Sequence, residues 1–263
     1  QAIDLTDEVE IEEAPEISLT VEPAGAVPVR ENLVLRAAEA LREALGPSGA
    51  SGAAITLRKR IPVAAGLGGG SSDAAATLLG LRRLWGVNGN MSLIYGIAAS
   101  LGSDVPFFLQ GGTAIGSGRG DVLDSLPTPV ERFAVVVTPH EHADAAKTAR
   151  MYELLEPKHY TDGSSTGAVV SRLTKRSPVG TAMRNTFMAV AASAYESYEV
   201  ALTNLVATEA DTTLLAGAGP SLFTLVDDAA KGERIMTSMA TWDYEAHVAR
   251  LLGAWSSDGL AAT

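Results

Sequence analysis

The chain has 263 residues, of which 46% are hydrophobic and 19% charged, a balance typical of a globular protein and not of a disordered one. Its net charge of −11 argues against a nucleic-acid partner, because the densest basic cluster, Arg58 to Arg60, is too small to hold a nucleic-acid backbone. No apolar run approaches the roughly 18 residues of a membrane helix, and the lack of cysteine excludes disulfides, thiolate metal sites and cysteine nucleophiles.

The first half of the chain carries strand-like and helix-like segments in turn. Two segments alternate apolar and polar residues, as half-buried strands do, the first at Val9 and Ile11 and the second at Ile17, Leu19 and Val21. Ala53 to Leu57 alternates in the same way. Between them, Asn32 has the character of an N-cap, and Gly46 with Pro47 would end the helix that follows it. Further along we predict helices from Ala74 to about Trp85 and from Ser92 to Leu101, a turn from Gly102 to Pro106, and short strands from Phe107 to Ile115.

The second half begins after Leu126 to Pro129, a proline-containing segment typical of a linker. We therefore predict two domains, residues 1–129 and 130–263, the second opening with a buried strand from Phe133 to Val137. Strands and helices are mixed without regular alternation, which favours an α+β fold over a doubly wound sheet. The remaining predictions are helices over Met183 to Leu205 and Ala229 to Ala240, a glycine loop from Ala216 to Ser221, and a strand from Leu222 to Val226.

The most informative segment is a glycine-rich loop at residues 62–73. Residues 66–70 contain four glycines, and Ser71, Ser72 and Asp73 follow at the start of an alanine-rich helix. Glycines let the backbone approach an anion, and the free N–H groups and dipole of a helix start favour phosphate. The simpler alternative is a glycine turn with Ser72 or Asp73 capping the helix, but the density of glycines favours a phosphate site.

Two familiar phosphate loops do not fit this segment. A Walker A loop needs a lysine directly after its last glycine, and this loop contains none. The dinucleotide pattern G-x-G-x-x-G begins correctly at Gly66 and Gly68 but has Ser71 where the third glycine belongs.

Residues 62–75, Pro-x-x-x-Gly-Leu-Gly-Gly-Gly-Ser-Ser-Asp-Ala-Ala, are similar to the ATP loop of the GHMP superfamily of small-molecule kinases. The extended form from Ile61 to Ala76 most resembles the diphosphocytidyl-methylerythritol kinase branch, whereas other branches more often carry a shorter Gly-Leu-Gly-Ser-Ser form. The resemblance implies that ATP phosphates are wrapped here by Pro62, Val63, Ala64, Ala65, Gly66, Leu67, Gly68, Gly69, Gly70, Ser71 and Ser72.

The resemblance also implies a fold and an activity. It predicts a ribosomal S5 domain 2-like N-terminal domain and a ferredoxin-like C-terminal domain. The implied reaction is ATP-dependent phosphorylation of the 2-hydroxyl of a diphosphocytidyl-methylerythritol substrate, a step of non-mevalonate isoprenoid synthesis. A homoserine or mevalonate kinase-like enzyme of the same superfamily is the alternative.

Asp104 lies in the string Gly-Ser-Asp-Val-Pro-Phe. From the sequence alone it is most simply a turn or cap residue. A kinase acting on an alcohol, however, benefits from a carboxylate that orients the hydroxyl and takes its proton. The string resembles the motif that supplies the catalytic Asp of the superfamily, so the resemblance implies that Asp104 is the base.

The second half carries three candidate substrate contacts. Residues 214–221 resemble the third GHMP motif, a glycine loop near the substrate, which implies roles for Gly217 and Gly219; a plain tight turn is the alternative. Residues 147–152 resemble a segment whose aromatic stacks on cytosine, which implies that role for Tyr152; a buried core tyrosine is the alternative.

Two strings of the resembled branch do not occur in this chain: an Ala-Pro-Ala-Lys-Ile-Asn-like string with a catalytic lysine, and an Asp-Gly-Tyr-His string that helps hold cytidine. Gln1 to Leu5 resembles the sequence just after that region. We therefore expect the first strand and loop of the fold to be missing and this chain by itself to lack full activity. The alternative from a different functional class is a protein that binds a nucleotide but does not catalyse a reaction, because the lysine is absent.

ATP with Mg²⁺ is the implied cofactor, the ion being held largely by phosphates and water. We assign the metal no protein ligand, because His140, His142, His159 and His247 lack metal-binding spacing. No secretory signal is visible, so we expect a cytoplasmic protein with a small-molecule substrate and no membrane or nucleic-acid partner.

Overall fold

The structure is a computed structural model and describes residues 1–25, 27–29, 31–46, 51–87, 89–140 and 147–255. Pro47 and His142 lie outside the described residues. The strands are β1 (Glu8–Ala14), β2 (Ser18–Glu22), β3 (Gly52–Arg58), β4 (Thr113–Ser117), β5 (Val122–Leu126), β6 (Phe133–Thr138), β7 (Leu214–Leu215), β8 (Leu222–Val226) and β9 (Glu245–Arg250). The helices are α1 (Leu33–Leu45), α2 (Gly69–Leu84), α3 (Met91–Leu101), α4 (Val105–Gln110), α5 (Lys147–Glu153), α6 (Ser164–Thr174), α7 (Ala191–Ala194), α8 (Tyr198–Val206) and α9 (Ala229–Ala240).

The described chain divides into two compact units. The N-terminal unit contains Thr6–Val63, Gly68–Ser125 and the chain from Ala254; the C-terminal unit contains Gln1–Leu5, Ala64–Leu67 and Leu126–Gly253. The change at Leu126 falls near the predicted linker, while the short segments 1–5 and 64–67 group with the later part of the chain. The division at residues 129 and 130 into independent domains stays a prediction.

In the N-terminal unit, a three-stranded sheet has the order β1-β3-β2, with β1 antiparallel and β2 parallel to β3. Helix α1 begins at Asn32, whose side chain accepts a hydrogen bond from the Val34 N–H, as its N-cap character predicted. Apolar residues of the sheet and of α1, α2 and α3 form one core. Its largest fully buried side chains are Leu41, Ile55, Leu57, Leu78, Leu81 and Ile94.

The C-terminal unit is built on an antiparallel sheet of order β7-β8-β6-β9. Successive residues of β6 point to opposite faces, so Val135 and Val137 enter the core shared with α8 and α9, while Ala134 and Val136 pack with Leu251 on the other face. Helices together with a mixed sheet and an antiparallel sheet in the same chain confirm the α+β prediction. Within the described residues, no helix is both long and apolar enough to cross a membrane.

Two predicted elements are wrong. Residues 107–110 form the end of α4 and not a strand, because Pro106 at the second helical position presets a helical φ and Gly111 ends the helix. A single helix from Met183 to Leu205 does not form either. Asn185 instead caps a short 3-10 turn at Thr186–Ala189 by accepting from the Phe187 N–H, and the chain becomes helical again only at α7 and α8.

Candidate active site

The glycine-rich loop contributes residues to both units. Pro62, Val63 and the residues from Gly68 onward belong to the N-terminal unit, and Ala64–Leu67 to the C-terminal unit. Helix α2 begins at Gly69, earlier than predicted, so Ser71 to Asp73 are helical. Gly68, which precedes the helix, has a left-handed φ of +73° and no side chain that could cap the helix. The first N–H groups of α2 therefore have no partner within the helix and remain available to an acceptor.

The start of α2 packs on the ring of Phe108, a residue of α4. A Cβ atom placed on Gly68 would lie 2.8 Å from the Phe108 ring, closer than any real side chain tolerates. Glycine is therefore required here both for the left-handed backbone and for the close approach. The structure thus brings α4, which follows Asp104, against the predicted phosphate loop within the N-terminal unit.

In the C-terminal unit, Ala64–Leu67 packs backbone to backbone on the second glycine loop, residues 216–221. The Ser221 N–H donates to the Ala65 carbonyl at 3.2 Å. A Cβ on Gly66 would lie 2.3 Å from the Ala216 carbonyl oxygen, and one on Gly217 would lie 3.0 Å from the Gly66 oxygen. The two glycine segments therefore lie together, and this contact explains why both need glycine.

Lys147 links the same two segments. Its ammonium donates to the carbonyl oxygens of Ala64 and Gly219, and burial lowers the pKa of the amine to about 8. Sequence reasoning named residues 147–152 only for the aromatic at their end and missed this lysine. No local pattern could have revealed it, since its partners are 83 and 72 residues away.

Another lysine, Lys59, has a buried side chain and lies next to the start of α2. The Lys59 ammonium donates to Asp73 at 2.9 Å and to Asp7, and Asp7 also accepts from the Ile61 N–H at 2.9 Å. Burial, together with the nearby Asp7, raises the pKa of Asp73 to about 7, although the charge of Lys59 opposes this shift. The pKa of Lys59 is also raised, because the attraction of the two carboxylates outweighs the effect of burial. Lys59 therefore serves a structural ion cluster and is not free to bind an anionic ligand.

Asp104 immediately precedes α4, and its side chain is exposed. The cap interpretation predicts that its carboxylate accepts a hydrogen bond from a backbone N–H of the first helical turn. Among the described residues the side chain makes no such bond. The carboxylate is therefore available for another partner.

An aromatic pocket of about 550 Å³ lies within the C-terminal unit. Tyr152 and Phe187 form one wall, with ring centroids 4.9 Å apart and an interplanar angle of 81°. Tyr152 is 58% exposed, so the alternative of a buried core tyrosine is wrong. Asn185, to which sequence reasoning gave no role, also lines the pocket and donates to the Leu215 and Gly217 carbonyls at 2.8 Å, joining the pocket to the second glycine loop.

The described residues contain no group of three or more His, Asp or Glu side chains placed to hold a metal ion. The structure excludes a buried core position for Tyr152. The roles predicted for the phosphate, substrate and base residues stay predictions.

Comparison with known proteins places these features in context. Residues 32–112 match the family described as GHMP kinases N terminal domain. The chain is similar to the 4-diphosphocytidyl-2-C-methyl-D-erythritol kinase of Dehalococcoides mccartyi, with 36% identity over 222 residues, or 84% of this chain and 78% of the relative.

Solved structures give the same picture. A 4-(cytidine 5'-diphospho)-2C-methyl-D-erythritol kinase is similar with a TM-score of 0.77 and 29% identity, covering 94% of this chain and 87% of the other. A homoserine kinase from Cytophaga hutchinsonii has a TM-score of 0.75 but only 19% identity over 96% of this chain and 88% of the other, a likeness of fold alone.

Proposed function

Because the chain belongs to the 4-diphosphocytidyl-2-C-methyl-D-erythritol kinase family, we propose that it transfers the terminal phosphoryl group of ATP to the 2-hydroxyl of 4-diphosphocytidyl-2-C-methyl-D-erythritol. The observation that carries the proposal is the uncapped, glycine-lined start of α2. It offers several N–H groups and a positive helix end to a phosphate, and no side chain of the helix occupies them. The reaction would belong to non-mevalonate isoprenoid synthesis in the cytoplasm.

ATP would be held by residues 62–72. The backbone N–H groups at the start of α2 would donate to phosphate oxygens, and glycine at 68, 69 and 70 would let those oxygens approach the chain. The Ser72 hydroxyl donates to the Gly69 carbonyl at 2.8 Å, so it stabilises the first turn. The backbone N–H donors suit a phosphate, and no group of acidic side chains among the described residues is placed to hold a metal ion. Mg²⁺ would therefore bind mainly through phosphate oxygens and water, where it would offset phosphate charge.

Asp104 would act as the base. Its exposed carboxylate would accept a hydrogen bond from the substrate hydroxyl and orient that oxygen toward the terminal phosphorus. As the new O–P bond forms and the bond to the ADP oxygen breaks, the hydroxyl proton would pass to Asp104. A carboxylate already serving as a helix cap could not do this as readily, and the free side chain of Asp104 supports the assignment.

The cytosine ring would stack on Tyr152. An exposed aromatic ring on the wall of a pocket of about 550 Å³ is a stacking platform, and Phe187 holds the ring edge-on from one side. Gly217 lies next to this pocket through the hydrogen bond from Asn185, and Gly219 is held by Lys147. These contacts support the proposal that the second glycine loop shapes the substrate site.

Substitution of Asp104 by Asn tests the proposal. Asn keeps the size of the side chain but cannot take the hydroxyl proton, so we expect kcat of the full-length gene product to fall by about 10²–10⁴-fold. ATP affinity should change little, because the residues proposed to hold phosphate lie elsewhere. A stable Asp104→Asn protein with near-normal kcat would remove Asp104 from the mechanism; a lower melting temperature with normal kcat would make it a structural residue.

A further inference from the structure

Trp255 lies outside every motif considered above, yet it contacts the end of α4. Its indole N–H donates to the Phe108 carbonyl at 2.9 Å, and its backbone N–H donates to the Gln110 carbonyl at 2.8 Å. Ala254 forms an isolated β-bridge with Gly111 next to these bonds. Two consecutive residues of a distant segment therefore hold the last turn of α4.

The ring of Trp255 also packs on Gly111, the residue that follows α4, and Ala254 packs on the next residue, Gly112. A Cβ on Gly111 would lie 2.3 Å from the indole ring, and a Cβ on Gly112 would lie 2.7 Å from the Ala254 nitrogen. Both glycines have left-handed φ angles, +62° and +71°. Glycine is therefore required at both positions, because a side chain at either one would clash with Trp255 or Ala254 and would be strained by the left-handed backbone.

Helix α4 needs such support. It has only six residues, and a helix this short is not stable without tertiary contacts. The carbonyl groups of its last turn lack helical partners, and each one left unsatisfied weakens the end of the helix. Within the part of the chain that the structure describes, Gly111 donates its N–H to the Phe107 carbonyl, and Trp255 supplies the hydrogen bonds to the Phe108 and Gln110 carbonyls.

We propose that Trp255 is a positioning residue for the phosphoryl transfer: it fixes the C-terminal end of α4 and thereby the place of Asp104 at the opposite end. The inference rests on the proposed function, in which Asp104 is the base. Phe108 strengthens the connection, since its carbonyl receives the indole bond while its ring supports Gly68 at the start of α2. A small displacement of a catalytic group can cost as much as about 10²-fold in rate.

The experiment is a double-mutant cycle in the full-length gene product. Trp255→Phe keeps most of the ring on Gly111 but loses the indole donor, and we expect a fall in kcat of about threefold to tenfold. Trp255→Ala also loses the ring, and we expect a fall of about 10- to 100-fold. In the Asp104→Asn background, each Trp255 substitution should change kcat by less than about twofold, because no base remains to be misplaced.

Trp242→Phe is the matched control, since Trp242 is a partly exposed tryptophan of the C-terminal unit and should leave kcat unchanged. Hydrogen exchange of the α4 amides gives a second readout and should be faster in Trp255→Phe than in the parent. The inference is overturned if each Trp255 substitution lowers kcat by the same factor in the Asp104→Asn background as in the parent. It is also overturned if hydrogen exchange of the α4 amides is unchanged. If Trp255→Ala does not fold, the Trp255→Phe cycle decides. A normal kcat in Asp104→Asn alone would instead reject the proposed base, and the inference with it.

Discussion

At the scale of single residues, two tyrosines of the C-terminal unit differ in whether their rings are accessible to a ligand. Tyr195 is 6% exposed, and its hydroxyl donates to the Ala218 carbonyl at 2.6 Å, so the ring is fixed in the core against the second glycine loop. Tyr152 is 58% exposed, and its ring lies nearly perpendicular to that of Phe187. A planar ligand can replace water on the free face of Tyr152 at little cost, whereas no ligand reaches Tyr195.

Replacement of Tyr152 by Ala should therefore weaken binding of the cytidine substrate. Stacking of a base on an aromatic side chain contributes about 1–3 kcal/mol, which corresponds to a rise in Kd of about 5- to 150-fold. Tyr152→Phe is the control, because it keeps the ring and should bind the substrate within about threefold of the parent. Calorimetry with the substrate and with ATP checks this, ATP affinity staying constant. Equal substrate affinity in Tyr152→Ala would exclude the stack.

At the scale of elements, the beginning of α2 combines two demands on one turn. In the proposed function the turn exposes N–H groups to a phosphate, and in the structure it lies directly on the side chains of Ile61 and Lys59. Neighbouring glycines experience this differently. A Cβ on Gly69 would lie 3.1 Å from Ile61 and 3.3 Å from the Lys59 ammonium, whereas a Cβ on Gly70 meets only Leu33 at 3.8 Å.

Gly69→Val should displace the first turn of α2 and weaken ATP binding by roughly tenfold or more, equivalent to about 1.4 kcal/mol. Gly70→Ala is the matched control, since its added methyl group makes only an ordinary van der Waals contact, and it should keep ATP affinity within about threefold. Calorimetric titration with ATP and a melting curve for both variants check the prediction. A folded Gly69→Val protein with the affinity of the parent would contradict the proposed phosphate loop.

At the scale of the whole molecule, a buried ion cluster next to the start of α2 makes the free energy of unfolding depend on pH. Asp73 is 3% exposed, and it shares the single ammonium of Lys59 with Asp7. Its pKa is about 7 in the folded protein, against an ordinary value of 3.8. Between these values the folded chain binds more protons at this site than the unfolded chain, so the free energy of unfolding contributed by Asp73 falls as pH rises from about 4 to about 7.

Asp73→Asn removes this titration. The difference in unfolding free energy between the parent and Asp73→Asn should therefore decrease as pH rises through that window and be constant above it. Chemical denaturation at several pH values between 4 and 8 measures the difference. Asp124→Asn, at an exposed carboxylate, is the control and should show no such trend. A parent-to-variant difference independent of pH would mean that Asp73 stays ionised in the folded protein.

Much of the architecture could be predicted from local patterns. Alternation predicted β1, β2 and β3, an apolar run predicted β6, and the position after the second glycine loop predicted β8, whereas β7 and β9 were not predicted. Asn32 capped its helix as expected. The glycine-rich loop and its helix indicated the GHMP kinase fold, which the similar structures confirm. The predictions at Phe107 and at Met183 to Leu205 were wrong because Pro106 favours a helical backbone at the start of α4 and Asn185 caps a separate short turn, and both effects act within one turn of the chain.

The sequence by itself determined the properties that depend on neighbours along the chain: the acidic globular character, the glycine pattern of residues 62–73, the Asn32 cap of α1 and the periodicity of β1 to β3. Only the tertiary structure decided which side chains are free. It showed that Asp104 makes no cap bond, that Tyr152 is exposed, and that Lys59 is neutralised by carboxylates. It alone joined Trp255 to Phe108, 147 residues away, because burial and pairing depend on residues that only folding brings together.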